Sequence, residues 1–149
     1  AGVDRKYRRF RFPYGDKGGE NKDALQKYFV EKGFHKVDDT QIPYPWWKEL
    51  GMNQDVDTFW TFDFEEYRLQ YDAEFTKQSI WDKIFNTNSQ KGTVLFAEGN
   101  KHILLLHAHD ETEEIYPQYY KEFIDCCLER GLKFEEPRFL KTDNSIYKE

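Results

Sequence analysis

Apolar and polar residues follow one another in short runs whose period changes several times along the chain. The most apolar run is Ile103-Leu104-Leu105-Leu106, set between His102 and the polar stretch His107-Ala108-His109-Asp110. It is too short for a buried helix and predicts a fully buried strand of a largely parallel sheet. Thr58-Phe59-Trp60-Thr61-Phe62-Asp63-Phe64 is β-prone and partly alternating, so a second strand is predicted there, running into Glu65-Glu66-Tyr67-Arg68. Helical spacing appears at Leu25, Tyr28 and Phe29, between the capping candidate Asn21 and the stop Lys32-Gly33, and predicts a helix over 22–32. Thr76 is placed to cap a second helix with Ile80, Trp81, Ile84 and Phe85 on one stripe. A third helix is expected from Glu113 to Arg130, burying Tyr116, Tyr120, Phe123 and Cys127 and ending at Gly131.

The remaining segments are shorter. Strands are expected near Phe34–Asp38 and over Leu132–Glu136, the latter closed by Pro137, and Gly92–Ala97 is ambiguous. Ile42-Pro43-Tyr44-Pro45-Trp46-Trp47 reads as a proline-broken loop whose tryptophans either wall a groove or fill the core. Phe10-Arg11-Phe12 is extended and is turned by Pro13 and Gly15. The tail beyond Lys141 is polar and expected to be loosely held. Alternation of strands and helices argues for an α/β chain of parallel βα units with right-handed crossovers. No internal repeat or low-complexity segment is visible.

Both central strands end in ionisable residues: Glu65 and Glu66 after the first, His107, His109 and Asp110 after the second. Ligands and catalytic groups of α/β folds gather at the carboxyl ends of strands, which makes this edge a candidate site. The alternative is a pair of solvated loop histidines. Composition narrows the function classes. A net charge of −6 with 34% charged residues disfavours a nucleic-acid partner. No apolar run approaches membrane-spanning length, so membrane insertion is not expected. An aromatic content of 18% suits a core together with a surface on which sugar rings stack. The only cysteines, Cys126 and Cys127, are sequence neighbours that point apart on a helix and form neither a disulfide framework nor a metal site.

Arg11-Phe12-Pro13-Tyr14-Gly15 resembles the Arg-x-Pro-Tyr-Gly motif of the polysaccharide deacetylases, a family of metal-dependent carbohydrate esterases. Trp60-Thr61-Phe62-Asp63-Phe64-Glu65-Glu66-Tyr67 is similar to that family's Trp-x-x-Asp-x-x-Asp-Trp stretch. Ile103-Leu104-Leu105-Leu106-His107 resembles its Leu-x-His strand, and Tyr116 to Phe134 its last helix and closing strand. The likeness runs from about Tyr7 to Phe139, with the motifs in the family's order.

The resemblance implies a fold and a set of roles. The chain would be the C-terminal portion of a catalytic domain, part of a distorted (β/α) barrel with parallel strands whose N-terminal strands are absent from this chain. His107 would be the general acid that protonates the leaving amine. Glu66 would stand where the family has the Asp that keeps this histidine charged, since a nearby carboxylate favours imidazolium. Arg11 would hold the catalytic-base Asp by a charge-assisted pair. Pro13, Tyr14 and Tyr67 would wall the substrate groove, the Tyr14 N–H would help stabilise an oxyanion, and Leu105 would line the acetyl-methyl pocket. Arg11, Glu66 and His107 are therefore expected to converge.

Two departures stand out. Glu66 and Tyr67 replace the family's Asp and Trp, giving a longer acid and a smaller wall. The Asp-Asp pair and His-x-x-x-His motif that hold the family's metal, and precede Arg-x-Pro-Tyr, do not occur here. A divalent metal, zinc by resemblance, is therefore expected to have its ligands outside this chain, on the missing N-terminal part of the same domain, and no metal ligand is assigned among these residues. The implied activity is removal of N-acetyl groups from a peptidoglycan- or chitin-like polysaccharide, at the cell envelope or in secreted form. The alternatives are a related amidase acting on a small nitrogenous substrate and a non-catalytic carbohydrate-binding protein.

Overall fold

A computed structural model describes residues 8–88 and 93–140. The expected loose tail beyond Lys141, and Tyr7 and Gly92 of the stretches named above, lie outside the described residues. The chain divides into two compact units, one made of residues 8–59 with 136–140 and the other of residues 60–135.

In the first unit, Phe12 is extended and Pro13 opens a tight turn completed by Tyr14 at φ 57° and Gly15 at φ 69°. The Gly15 N–H donates to the Phe12 carbonyl at 3.0 Å, so the turn is closed by backbone. Helix α1 spans Lys22–Glu31, close to the predicted 22–32. Its buried residues are Gln26 and Val30, whereas Tyr28 is half-exposed beside the Lys32 ammonium. Gln26 replaces an apolar residue on that face because its amide is matched on both sides. It donates to Asp57 Oδ1 at 2.6 Å and accepts from the Val56 N–H at 2.7 Å.

Phe10 stacks on Phe29 at 4.2 Å and meets Phe12 and Phe34 edge-on, which makes an aromatic cluster against α1. The proline-broken stretch becomes helix α2, Pro45–Glu49, because Pro45 sits in the first turn, where its missing N–H is not needed. Trp47 is core, 2% exposed, with its indole N–H on Asp39 at 2.6 Å. Phe34–Asp38 forms no strand of its own. Single bridges join Arg8 to Phe34 and Val37 to Phe139, so pairing falls past Pro137 rather than on the predicted Leu132–Glu136.

The second unit carries strand β1, Phe62–Asp63, parallel to β2, Leu104–Leu105, with Phe62 opposite Leu104 and Asp63 opposite Leu105. Both strands are shorter than their apolar runs. Among the described residues the sheet has only these two strands, so each is covered along one edge. For that reason Leu105 is buried while Ile103, Leu104 and Leu106 are half-buried, which corrects the fully buried strand. Residues 93–97 form a turn, not a strand, and deliver Leu95 to the core.

Helix α3, Lys77–Ile84, starts with a reciprocal capping box between Thr76 and Ser79 and buries Ile80 and Ile84; Phe85, at its end, is exposed. The long third helix is in fact two, α4 over Asp110–Ile115 and α5 over Tyr119–Glu129. Pro117 forbids a continuous helix, and Gln118 turns the chain at φ 57°. That restart rephases the stripe, so α5 buries Tyr119, Phe123 and Cys127, and Tyr120 faces solvent. Phe64 stacks on Phe123 at 5.0 Å, and Phe62, Ile80, Ile84, Leu95 and Tyr116 complete the core.

Candidate functional site

Because β1 and β2 are parallel, their carboxyl ends share one edge, and the ionisable residues after each strand meet there. Pairing sets the depth of each. The Phe64 N–H donates to the Leu105 carbonyl at 3.3 Å, which places Asp63 level with Leu105 and His107 just beyond. After β1 the chain turns sharply, with Glu65 at φ 57°, a left-handed conformation that costs a non-glycine residue on the order of 1 kcal/mol or more. The turn is held at both ends. The Glu65 N–H donates to Asp63 Oδ1 at 2.8 Å, and the Glu65 carboxylate pairs with Lys83 of α3 at 2.9 Å. Glu66, first residue of the following 3-10 turn Glu66–Gln70, is thereby directed back into the unit, where it is fully buried.

Glu66 Oε1 accepts the backbone N–H of His107 and lies 3.2 Å from His107 Nδ1. Asp63 Oδ1 is 3.9 Å from the same nitrogen. The Tyr119 hydroxyl donates to the His107 carbonyl, tying the residue to α5. The Tyr67 ring meets the imidazole at a centroid distance of 4.5 Å and 61°. The His107 side chain keeps 24% of its surface open and Asp63 keeps 15%. Burial raises the carboxyl pKa of Glu66, opposed by the His107 N–H and by charge on the imidazole, and the neighbouring Asp63 raises it further. Burial likewise raises that of Asp63, opposed by the Glu65 N–H, His107 and Lys83. Glu66 Oε2 is buried without a hydrogen-bond partner.

Of the residues singled out in the sequence, Glu66, Tyr67, Leu105 and His107 lie in the second unit. Glu66, Tyr67 and His107 converge, and Leu105 is buried opposite Asp63. Arg11, Pro13 and Tyr14 belong to the first unit. There Arg11 Nε donates to the Thr58 carbonyl at 3.1 Å, and Pro13 and Tyr14 form the exposed turn with the Tyr14 ring in solvent. His109 turns aside and contacts Gln70 at 3.0 Å.

Neither Asp63 nor Tyr119 is among the residues singled out from the sequence. Asp63 carried a usable signal, since it ends a strand three residues before Glu66. Tyr119 carried none, because its role depends on where α5 restarts. Together Asp63, Glu66 and His107 offer one carboxylate oxygen each and one ring nitrogen within 4.8 Å of one another, the kind of donor set that holds a divalent ion. Among the described residues, no helix is long and apolar enough to cross a membrane. Comparison with protein-family models, curated proteins and solved structures finds no match to this chain.

Proposed function

We propose that this chain supplies the general acid and groove walls of a metal-dependent hydrolase that removes N-acetyl groups from a peptidoglycan- or chitin-like polysaccharide. The observation that carries the reading is the carboxylate–imidazole pair at the shared carboxyl edge of two parallel strands: buried Glu66 on Nδ1 of a partly open His107. In an amide hydrolysis the leaving nitrogen departs as an amine only if it receives a proton. Glu66 holds the Nδ1 proton and orients the ring, which leaves Nε2 to deliver that proton. Tyr67, packed against the imidazole, forms an apolar wall beside it. In the first unit the Tyr14 ring is wholly exposed on its turn, a surface on which a sugar ring can stack. In this reading β1 and β2 are neighbouring strands of a distorted (β/α) barrel, and the enzyme works at the cell envelope or outside the cell. A divalent metal, zinc by resemblance, would supply polarisation of the acetyl carbonyl and an activated water, with its ligands expected outside this chain.

The test is His107→Ala in the full-length protein. Turnover of an N-acetylated oligosaccharide should fall about 10²–10⁴-fold, the usual contribution of a general acid. An activated acetate ester, whose leaving group needs no proton, should be affected far less. Unchanged turnover of the amide would refute the assignment. Equal losses on amide and ester would mean that His107 does something other than protonate the leaving group.

A further inference from the structure

We infer that Asp63, Glu66 and His107 form a divalent-cation site of zinc type, with His107 Nδ1 as its nitrogen donor. The inference stands on geometry within the second unit and is independent of the ligands that the proposed hydrolysis needs elsewhere. Zinc bound tetrahedrally at about 2.0 Å to nitrogen and oxygen sets its donor atoms roughly 3.3 Å apart. Here Nδ1 lies 3.2 Å from Glu66 Oε1 and 3.9 Å from Asp63 Oδ1, and one donor atom of each residue lies within 4.8 Å of the others.

The second observation is Glu66 itself. Its side chain is fully buried, and Oε2, which shares a carbon with the oxygen touching Nδ1, has no hydrogen-bond partner. A carboxylate withdrawn from water with one oxygen unmatched is costly, and an ion bound at this carboxylate offsets its charge. The support around the ligands is already built. The Glu65 N–H orients Asp63, and Tyr119 holds the backbone of His107. The open faces of His107 and Asp63 leave room for water in the fourth position.

The donor set selects among cations. One imidazole and two carboxylates suit zinc or its cobalt substitute, whereas magnesium and calcium prefer six or more oxygens. The metal takes the Nδ1 lone pair, so Nδ1 carries no proton in the bound form. Zinc and the acid form of His107 thus exclude one another. If the proposed hydrolysis is right, excess zinc would switch the acid off, and only that consequence rests on that reading.

The experiment is calorimetric titration of the whole chain with zinc chloride. One-to-one binding in the micromolar range is expected. Asp63→Asn and His107→Gln should each weaken binding by at least the roughly 10–100-fold that losing a supporting partner costs. His109→Gln should leave it unchanged, and cobalt should give a visible absorption band that His107→Gln abolishes. Circular dichroism matching the parent excludes misfolding as the cause of a loss, and Glu66→Gln, same in shape, serves as the second variant if either of the others unfolds. Absence of zinc binding up to millimolar concentration, or full affinity in both Asp63→Asn and His107→Gln, would overturn the inference. Because every readout here is binding to the chain, it can fail while the leaving-group dependence of His107→Ala holds, and the reverse.

Discussion

Replacing Tyr119 with Phe removes a single oxygen from the point where the core meets the candidate site. The side chain is 2% exposed, and its ring packs against Tyr116, Tyr120 and Phe123 at 6.5, 5.7 and 5.9 Å, contacts that Phe retains. Burial raises the phenol pKa, so the hydroxyl remains a donor at neutral pH. The loss is therefore the hydrogen bond to the His107 carbonyl, worth about 0.5–1.5 kcal/mol net. A loss of about 1 kcal/mol, the middle of that range, is expected. For a chain of 149 residues, about 1 kcal/mol lowers Tm by roughly 2–4 °C. Tyr119→Ala deletes the ring as well and should cost about 3–5 kcal/mol. Thermal unfolding followed by near-UV circular dichroism separates the two variants. A Tyr119→Phe protein as stable as the parent would show that the hydroxyl does not anchor His107, and one as damaged as Tyr119→Ala would show that the magnitude worked here is wrong.

Stability should also depend on pH through His102. Burial holds its pKa below the ordinary 6.5, so the unfolded chain takes up a proton first. This contribution is complete above about 6.5 and is lost as pH falls towards the folded value; His102→Asn should flatten urea midpoints over that window, and an unchanged slope would exclude His102 as the cause. In the first unit, buried Asp57 accepts from Lys17 at 2.8 Å and from Gln26 at 2.6 Å, while Lys17 also reaches Asp55. Asp57→Ala should cost about 3 kcal/mol, the lower end for breaking a buried pair because Lys17 keeps one partner; a urea midpoint within error of the parent would contradict it.

Local signals in the sequence were enough for several elements. Lys22–Glu31 and Lys77–Ile84 form helices where spacing and capping residues predicted them, down to the Thr76 cap. The apolar run before His107 and the β-prone run before Glu65 marked the two strands, and the ionisable residues after them marked the edge where Asp63, Glu66 and His107 meet. These features depend on neighbours within a few positions, which is what a linear pattern records. Other features depended on contacts that no local pattern encodes. Gln26 sits on a buried face because Asp57 and Val56, about thirty residues away, match both ends of its amide. Tyr119 rather than Tyr120 is buried because Pro117 and Gln118 restart the helix in a new phase. Asp63 joins Glu66 and His107 only because a parallel register, with Asp63 opposite Leu105, brings together positions some forty residues apart. Periodicity shows which face of a segment turns inward; which residue waits there is decided by packing and register, since those set the distances on which hydrogen bonds, charges and metal ligands depend.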